Sequence, residues 1–177
     1  ENNSITSQLI ANKFNLGICS IFSFEKDHIM ENIIRRNWKA KVIYEDEREV
    51  FLSPEHPLVQ KEYLEIEDLK LLTLACYSID DDTIGGKFRP YFNPDYCYHL
   101  DSQYNMLQLA AENKSVSIFP TKISRIHPLV KHGLVVSRPV RGLSLRATYL
   151  LIYPSDSILS HAEKEIMKLI IKLFAVL

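Results

Sequence analysis

The chain has 177 residues, of which 46% are hydrophobic and 24% charged, and its formal net charge is −1. This composition supports a sizeable core, lacks the basic excess of a nucleic-acid-binding surface, and includes no apolar run long enough to span a membrane. The cysteines Cys19, Cys76 and Cys97 are widely spaced, which favours a reducing compartment over a disulfide scaffold. The sequence starts at Glu1 without a signal-peptide pattern, so we expect a fragment or a processed chain.

Hydrophobic periodicity predicts alternating helices and strands in the first part of the chain. The predicted elements are a helix with Ser4 as its N-cap, a strand over 14–19, a helix over 26–36, and strands over 38–44 and 50–52. One face of the strand over 38–44 is expected to carry Trp38, Ala40, Val42 and Tyr44. Pro54 and Pro57 lack a backbone N–H, so the next strand has to end near Ser53.

The remainder of the chain continues this alternation. Strands are predicted over 71–77, 96–100, 116–119 and 147–153, with a loop over 80–95. Asp101, Ser102 and Gln103 supply N-cap chemistry for a helix that ends near Asn113, and residues 160–163 form a capping box for a final helix. The pattern indicates an α/β protein with a largely parallel sheet.

Several residue groups suggest metal binding or catalysis, and each has a simpler interpretation. Cys97 and His99 would share one face of a strand, but no paired Cys-x-x-Cys or His-x-x-x-His supports them as ligands, so we favour a structural cysteine and a surface histidine. The acidic run over 80–82 lacks the other ligands of a calcium loop and is better explained as a solvated turn. No nucleophile motif is present. The sequence therefore predicts no metal, no cofactor and no catalytic residue.

Two further groups lie where ligands often bind in α/β proteins. Cys19 and Cys76 each end a predicted strand, where a reactive thiolate could sense redox change, but packing is the simpler explanation. Ser4 and Ser102 each cap a helix, and the unpaired N–H groups at two helix starts would suit a small carboxylate. Ser78, directly after a predicted strand, belongs with them. The alternative is that both serines are only helix caps.

Three segments together resemble the effector-binding domain of LysR-type transcriptional regulators. The segment over 41–58 contains two strands and then Ser53-Pro54-Glu55-His56-Pro57-Leu58, similar to the family's Ser-x-x-His-Pro-Leu tail. The segment over 101–120 resembles the family's helix followed by an apolar strand and a proline. The segment over 143–177 resembles its returning strand and C-terminal helix. Their order and spacing cover nearly the whole chain.

The resemblance implies an α/β fold of two lobes, like a type 2 periplasmic binding protein, with two crossover hinge strands and a small effector between the lobes. It assigns residues 1–53 and 146–177 to lobe one and residues 54–145 to lobe two. The expected hinge residues are Leu52, Ser53, Arg146 and Ala147. Because the family has further elements before the position that matches Glu1, lobe one is expected to be truncated.

The resemblance also implies a function. We expect a cytoplasmic domain that binds a small anion or carboxylate, forms a homodimer or higher homo-oligomer, and reaches DNA only through an N-terminal helix-turn-helix domain not included in this chain. The expected effector-binding residues, at strand ends and helix starts, are Asn2, Asn3, Ser4, Ser20, Tyr77, Ser78, Ser102 and Gln103. The alternatives are a solute-binding protein and an enzyme on the same scaffold. The lack of a signal peptide argues against the first, and the lack of a catalytic Thr-Arg-Asp motif against the second.

Overall fold

A computed structural model describes residues 15–23, 26–77, 88–93, 96–143, 146–154 and 159–176. The predicted helix after Ser4 lies outside these residues. The chain divides into two compact units, of which unit 1 is Glu1–Asp46 with Arg146–Leu177 and unit 2 is Glu47–Leu145. None of the helices in the described ranges is long and apolar enough to cross a membrane.

The described secondary structure alternates between strands and helices. In chain order the strands are β1 (Gly17–Phe22), β2 (Trp38–Asp46), β3 (Arg48–Leu52), β4 (Leu74–Cys76), β5 (Cys97–His99), β6 (Ser117–Pro120), β7 (Val136–Arg138) and β8 (Ala147–Pro154). The α-helices are α1 (Lys26–Arg35), α2 (Ile66–Leu69), α3 (Gln103–Ala111), α4 (Thr121–Ser124), α5 (Pro128–Lys131) and α6 (His161–Phe174). Two 3-10 turns lie at Pro57–Gln60 and Arg89–Tyr91. The long predicted helices that correspond to α1, α3 and α6 are confirmed, whereas the one-turn helices α2, α4 and α5 were not predicted.

Unit 1 is built on a three-stranded antiparallel sheet with the order β1-β8-β2. Its central strand β8 is almost wholly buried, as expected for a strand with neighbours on both sides. The buried residues Ile33 of α1 and Leu150 and Ile152 of β8 form the centre of a hydrophobic cluster. Burial of this apolar face, rather than helix propensity, holds α1 in place.

A β-bulge in β2 corrects one prediction for unit 1. The register of β2 against β8 shifts between Val42 and Tyr44. Val42 therefore pairs with Leu150 and packs in the cluster beneath α1, whereas Tyr44 pairs with Tyr149 and lies 5.8 Å, ring to ring, from Phe174 of α6. Because an extra residue in one strand moves the following side chains to the other face, Tyr44 does not share a face with Val42.

Unit 2 contains an antiparallel sheet with the order β6-β3-β7 and a parallel pair, β4 and β5. Helix α3 contributes Met106, Leu107 and Ala110 to the core, and all three are fully buried. Phe51 of β3 and Phe119 of β6 pack in the same cluster, with their ring centroids 6.1 Å apart. This core fixes the start of α3 relative to the ends of β4 and β6.

The expectation of a largely parallel sheet is wrong for the described strands. The pairs that β8 forms with β1 and β2 are antiparallel, as are those of β3 with β6 and β7. Among the named strands, only β4 and β5 run parallel. Strand and helix periodicity identifies elements but not their partners, and the pairing here joins strands far apart in sequence.

The His-Pro-Leu part of the segment over 53–58 has a local structural role. His56 is the N-cap of the 3-10 turn at Pro57–Gln60, and its Nδ1 accepts a hydrogen bond from the backbone N–H of Leu58 at 3.2 Å. The sequence His-Pro-Leu-Val of residues 56–59 recurs at 127–130. There His127 caps α5 and accepts a hydrogen bond from the backbone N–H of Leu129 at 3.3 Å. In both places proline follows the cap, where its missing N–H costs nothing.

Candidate functional site

The start of α3 in unit 2 carries the predicted residues Ser102 and Gln103. Ser102 occupies the N-cap position in an extended conformation, as the sequence predicted, but its side chain makes no capping hydrogen bond. The Ser102 carbonyl accepts the helical hydrogen bond from Met106 at 3.1 Å. The hydroxyl of Ser102 therefore lies at the start of the helix but does not accept a hydrogen bond from the first backbone N–H groups of α3.

Tyr77, directly after β4, lies beside this helix start. Its hydroxyl accepts a hydrogen bond from the backbone N–H of Gln103. Its ring packs edge-on against Phe119, with the centroids 6.4 Å apart, and the side chain is about half exposed (45%). Partial burial raises the pKa of Tyr77, and the hydrogen bond from Gln103 offsets part of this rise. The phenol is therefore neutral near pH 7 and able to donate its proton in a hydrogen bond.

The side chain of Gln103 connects the start of α3 to α4. Its Nε2 donates to the hydroxyl of Ser124 at 3.3 Å, and Ser124 is almost fully buried (1% exposed). Sequence reasoning missed Ser124 because no element was predicted between Pro120 and Ala147. The sequence offers only a serine four residues after Pro120, the proline that ends a predicted strand. Tyr77, Ser102, Gln103 and Ser124 thus form one polar cluster, which we call the α3 site.

The α3 site has the chemistry of an anion-binding site. The nine-residue helix α3 begins here, so its first N–H groups have no partner within the helix, and the positive end of the helix dipole lies at this point. The hydroxyls of Ser102 and Tyr77 are neutral hydrogen-bond donors next to those groups. A small carboxylate satisfies both kinds of donor, whereas an ammonium group satisfies neither.

The other predicted effector-binding residues are not brought into this cluster. Ser20 lies inside β1, paired with Tyr149 in unit 1, and does not follow the strand as expected, because β1 continues to Phe22. Its role stays a prediction. The remaining predicted residues, Asn2, Asn3, Ser4 and Ser78, lie outside the described residues.

Of the four predicted hinge residues, two lie at the start of a segment of unit 1 and two lie inside unit 2. Arg146 opens the second segment of unit 1, and Ala147 is the fully buried first residue of β8. Leu52 and Ser53 lie inside unit 2, at the far end of β3, whereas the chain enters unit 2 at Glu47. The proline stop marks where β3 ends and not where the chain passes between units, so the observed division differs from the one expected at residue 53. A hinge function for these residues stays a prediction.

A second cluster lies at the adjacent strands β4 and β5. The ligand-type atoms of Cys76, Cys97 and His99 all lie within 4.8 Å of one another. The Cys76 sulfur is 3.5 Å from the Cys97 sulfur and 3.8 Å from Nδ1 of His99. The sequence placed Cys97 and His99 on one face but gave no sign that Cys76 would pair opposite His99.

Cys19 behaves differently from these two cysteines. It lies within β1 and packs against the hydrophobic cluster of unit 1. Burial raises the pKa of the Cys19 thiol to about 11, so almost none of it is thiolate near pH 7. This agrees with a packing role and not with thiol sensing.

A surface pocket of about 360 Å³ lies elsewhere in unit 1. It is lined by Met30, Ile34, Asn37, Trp38, Lys39, Ala40 and Tyr153. The pocket contains none of the predicted effector-binding residues, and its mainly apolar lining offers no group of hydroxyl donors like that of the α3 site.

The sequence matches the family model of the LysR substrate-binding domain over residues 29–175. The chain therefore belongs to the LysR substrate-binding domain family, whose members are the small-molecule-binding parts of transcriptional regulators. The predicted type 2 periplasmic-binding-protein-like fold and the predicted function as a LysR effector-binding domain are confirmed. A search of curated proteins finds no match to the sequence.

Three solved structures with the same fold are distant from this chain in sequence. The regulatory domain of MetR, a LysR family regulator from N. meningitidis, has a TM-score of 0.70 and 16% identity, with coverage of 98% of this chain and 76% of that one. The effector-binding domain of QuiR in complex with shikimate has a TM-score of 0.63 and 21% identity, with coverage of 98% and 76%. The Synechocystis CcmR regulatory domain in complex with 2-PG has a TM-score of 0.69 and 13% identity, with coverage of 96% and 78%.

Proposed function

We propose that this domain binds a small carboxylate effector at the α3 site and thereby controls a LysR-type transcriptional regulator. The observation that carries the proposal is the Ser102 hydroxyl, which stands at the N-cap of α3 without capping it, one residue before Gln103, whose backbone N–H donates to Tyr77. A carboxylate there receives hydrogen bonds from both hydroxyls and from the helix start. The carboxylate shikimate bound to the QuiR domain is consistent with an anionic effector.

The regulatory consequence follows from differential binding. An effector shifts the balance between two arrangements of a regulator only if it binds one of them more tightly. We propose that the domain acts within a cytoplasmic homodimer or larger homo-oligomer, and that it reaches DNA through a helix-turn-helix domain outside these 177 residues. In this proposal the domain binds its effector and does not turn it over.

The two hydroxyls of the α3 site are the first test. Ser102→Ala and Tyr77→Phe should each weaken binding about tenfold or more, because a hydrogen bond to a charged group contributes about 1.5–3 kcal/mol. A panel of small carboxylates that includes shikimate is titrated into each variant by calorimetry. Ser160→Ala, which removes an N-cap serine in unit 1, and Tyr96→Phe, at an exposed tyrosine of unit 2, are matched controls. Equal affinity in the site variants and the controls would contradict the assignment.

The charge of the effector is tested at Asp101. This exposed carboxylate immediately precedes Ser102, and its negative charge opposes an anion at the helix start. Asp101→Asn should therefore strengthen binding of a carboxylate and leave binding of its uncharged amide analogue unchanged. An equal change for the acid and the amide would show that the site does not recognise charge. Calorimetry at low and high salt separates the two cases, because salt screens only the charged ligand.

A further inference from the structure

We propose that Cys76, Cys97 and His99 form a binding site for a thiolate-preferring transition-metal ion, with Zn²⁺ as the leading candidate. The proposal rests on unit 2 alone and does not depend on the identity of the effector. The two sulfurs and one ring nitrogen of His99 all lie within 4.8 Å of one another. Each atom is a common zinc ligand.

The strand pairing explains why the three side chains converge. Cys97 and His99 are two residues apart on β5, so both side chains project from the same face of the strand. In the parallel pairing of β4 with β5, Cys76 stands opposite His99 and Leu74 opposite Cys97. The Leu100 N–H donates to the Cys76 carbonyl at 3.0 Å and extends this pairing past the cluster. The backbone, and not a flexible loop, therefore positions all three groups.

Two of the three ligand separations are close to those of tetrahedral coordination, and the third, between Cys97 and His99, is within 4.8 Å. With zinc–sulfur bonds of about 2.3 Å and zinc–nitrogen bonds of about 2.0–2.1 Å, two sulfurs on one ion lie about 3.8 Å apart and a sulfur and a nitrogen about 3.6 Å apart. The observed separations are 3.5 Å between the two sulfurs and 3.8 Å between the Cys76 sulfur and His99 Nδ1. Each differs from the ideal by a few tenths of an ångström, which side-chain rotation can supply.

The donor set selects the kind of ion. Two thiolates and an imidazole suit Zn²⁺ or Cu⁺, whereas Mg²⁺ and Ca²⁺ require oxygen ligands. Three protein ligands leave a fourth position for water or another ligand. Cys76 is buried, Cys97 is partly buried and His99 is exposed, so an ion can enter from solvent on the side of His99. On binding, each thiol releases a proton to solvent.

A disulfide between Cys76 and Cys97 is the main competing arrangement. It requires the sulfurs to approach to about 2.05 Å, whereas they are 3.5 Å apart. A disulfide also leaves the convergence of His99 on the same point unexplained. The two arrangements exclude each other chemically, because sulfurs in a disulfide are not thiolate ligands.

The test uses the 177-residue chain, reduced and stripped of metal with a chelator. Co²⁺ is titrated as a spectroscopic probe, followed by displacement with Zn²⁺. We expect one equivalent to bind, with a thiolate-to-cobalt charge-transfer band and the visible bands of tetrahedral cobalt. Cys97→Ser and His99→Gln should each weaken Zn²⁺ binding by more than about 100-fold, since loss of even an outer-shell partner costs about 10–100-fold. Cys19→Ser, which removes the thiol of unit 1, should bind metal like the unaltered chain.

Three results would overturn the proposal. They are the absence of the charge-transfer band, equal affinity of Cys97→Ser and Cys19→Ser, and a disulfide between Cys76 and Cys97 that persists in the reduced, metal-loaded chain. Alkylation with mass spectrometry gives an independent readout, because Zn²⁺ should protect Cys76 and Cys97 together. Ser102→Ala should retain full metal affinity, so failure of the carboxylate site and failure of the metal site are distinguishable.

Discussion

At the scale of single residues, the surroundings of a cysteine decide its chemistry. Cys97 is partly exposed and faces a second sulfur and an imidazole, the arrangement expected of a metal ligand. Cys19 packs among the apolar residues of unit 1, and burial alone raises the pKa of its thiol to about 11. The sequence favoured a structural or packing role for both cysteines, and the tertiary contacts are what distinguish their surroundings.

The raised pKa of Cys19 predicts a loss of stability at alkaline pH. The unfolded thiol has a pKa of 9.0 and the folded thiol about 11, so the folded state holds its proton more tightly. The free energy of unfolding should be unaffected by this group below pH 9 and should fall as pH rises from 9 to 11. The expected loss is up to about 3 kcal/mol, since each unit of pKa shift corresponds to about 1.4 kcal/mol.

Urea unfolding of the unaltered chain and of Cys19→Ala, at several pH values across this window, measures the effect. Lysine and tyrosine titrations are common to both chains, so the difference between the two curves isolates Cys19. Cys97→Ser serves as a second thiol-deletion control. Parallel curves for the unaltered chain and Cys19→Ala would show that the thiol is not desolvated in the folded state.

At the scale of secondary-structure elements, histidine N-caps mark where two helical turns begin, each directly before a proline. His56 and His127 each accept a hydrogen bond from the backbone N–H two residues later, ahead of a proline. Arg138 of β7 then donates to the carbonyls of Val59 and Lys61, which fixes the chain that follows the first of these caps. The family-like Ser-x-x-His-Pro-Leu segment therefore ends a strand and starts a turn, and does not itself form the α3 site.

The cap at His56 predicts a loss of stability at acid pH. The Nδ1 atom accepts a hydrogen bond only when it is unprotonated, and partial burial lowers the pKa of His56 below its usual 6.5. The cap is therefore intact above pH 6.5, and its contribution is lost as pH falls through the lowered folded pKa. His56→Ala should cost about 1 kcal/mol near neutral pH, the usual contribution of an N-cap.

His56→Asn supplies the matched comparison, because asparagine caps helices well and does not titrate. Its unfolding free energy should lie close to that of the unaltered chain near neutral pH and should exceed it as the pH is lowered. His132→Gln, at an exposed histidine of unit 2, controls for histidine titration in general. If His56→Asn lost stability with falling pH as steeply as the unaltered chain, the cap would not be the titrating element.

Local sequence signals predicted the helices and strands well, but they did not predict which strands pair or in which register. The capping box of α6 is confirmed, since Ser160 accepts from the Glu163 N–H at 3.3 Å and Glu163 accepts from the Ser160 N–H at 2.7 Å. Helix α1 spans Lys26–Arg35, one residue less than the range of 26–36 predicted from its apolar spacing. By contrast, the bulge before Tyr44 and the pairing of Cys76 with His99 depend on register between distant strands, which periodicity does not encode.

At the scale of the whole molecule, the two units differ in how the chain forms them. Unit 1 combines Glu1–Asp46 with Arg146–Leu177, so its central strand β8 comes from a different segment than β1 and β2. Unit 2 is the continuous stretch Glu47–Leu145 and has its own hydrophobic core around α3. The α3 site and the Cys76, Cys97 and His99 cluster both lie in unit 2. A continuous unit with its own core satisfies the usual criterion for independent folding.

We therefore predict that a chain of residues 47–145 folds alone and binds Zn²⁺ with the stoichiometry of the full chain. Its core residues Phe51, Met106 and Phe119 belong to one hydrophobic cluster whose named members all lie within residues 47–145. Circular dichroism with urea unfolding should show one cooperative transition, and the Co²⁺ titration should reproduce the tetrahedral spectrum. A matched chain with Met106→Ala should lose about 2–5 kcal/mol, the usual cost of emptying a buried site. A non-cooperative transition with strong binding of a hydrophobic dye would show that unit 2 needs unit 1 to complete its core.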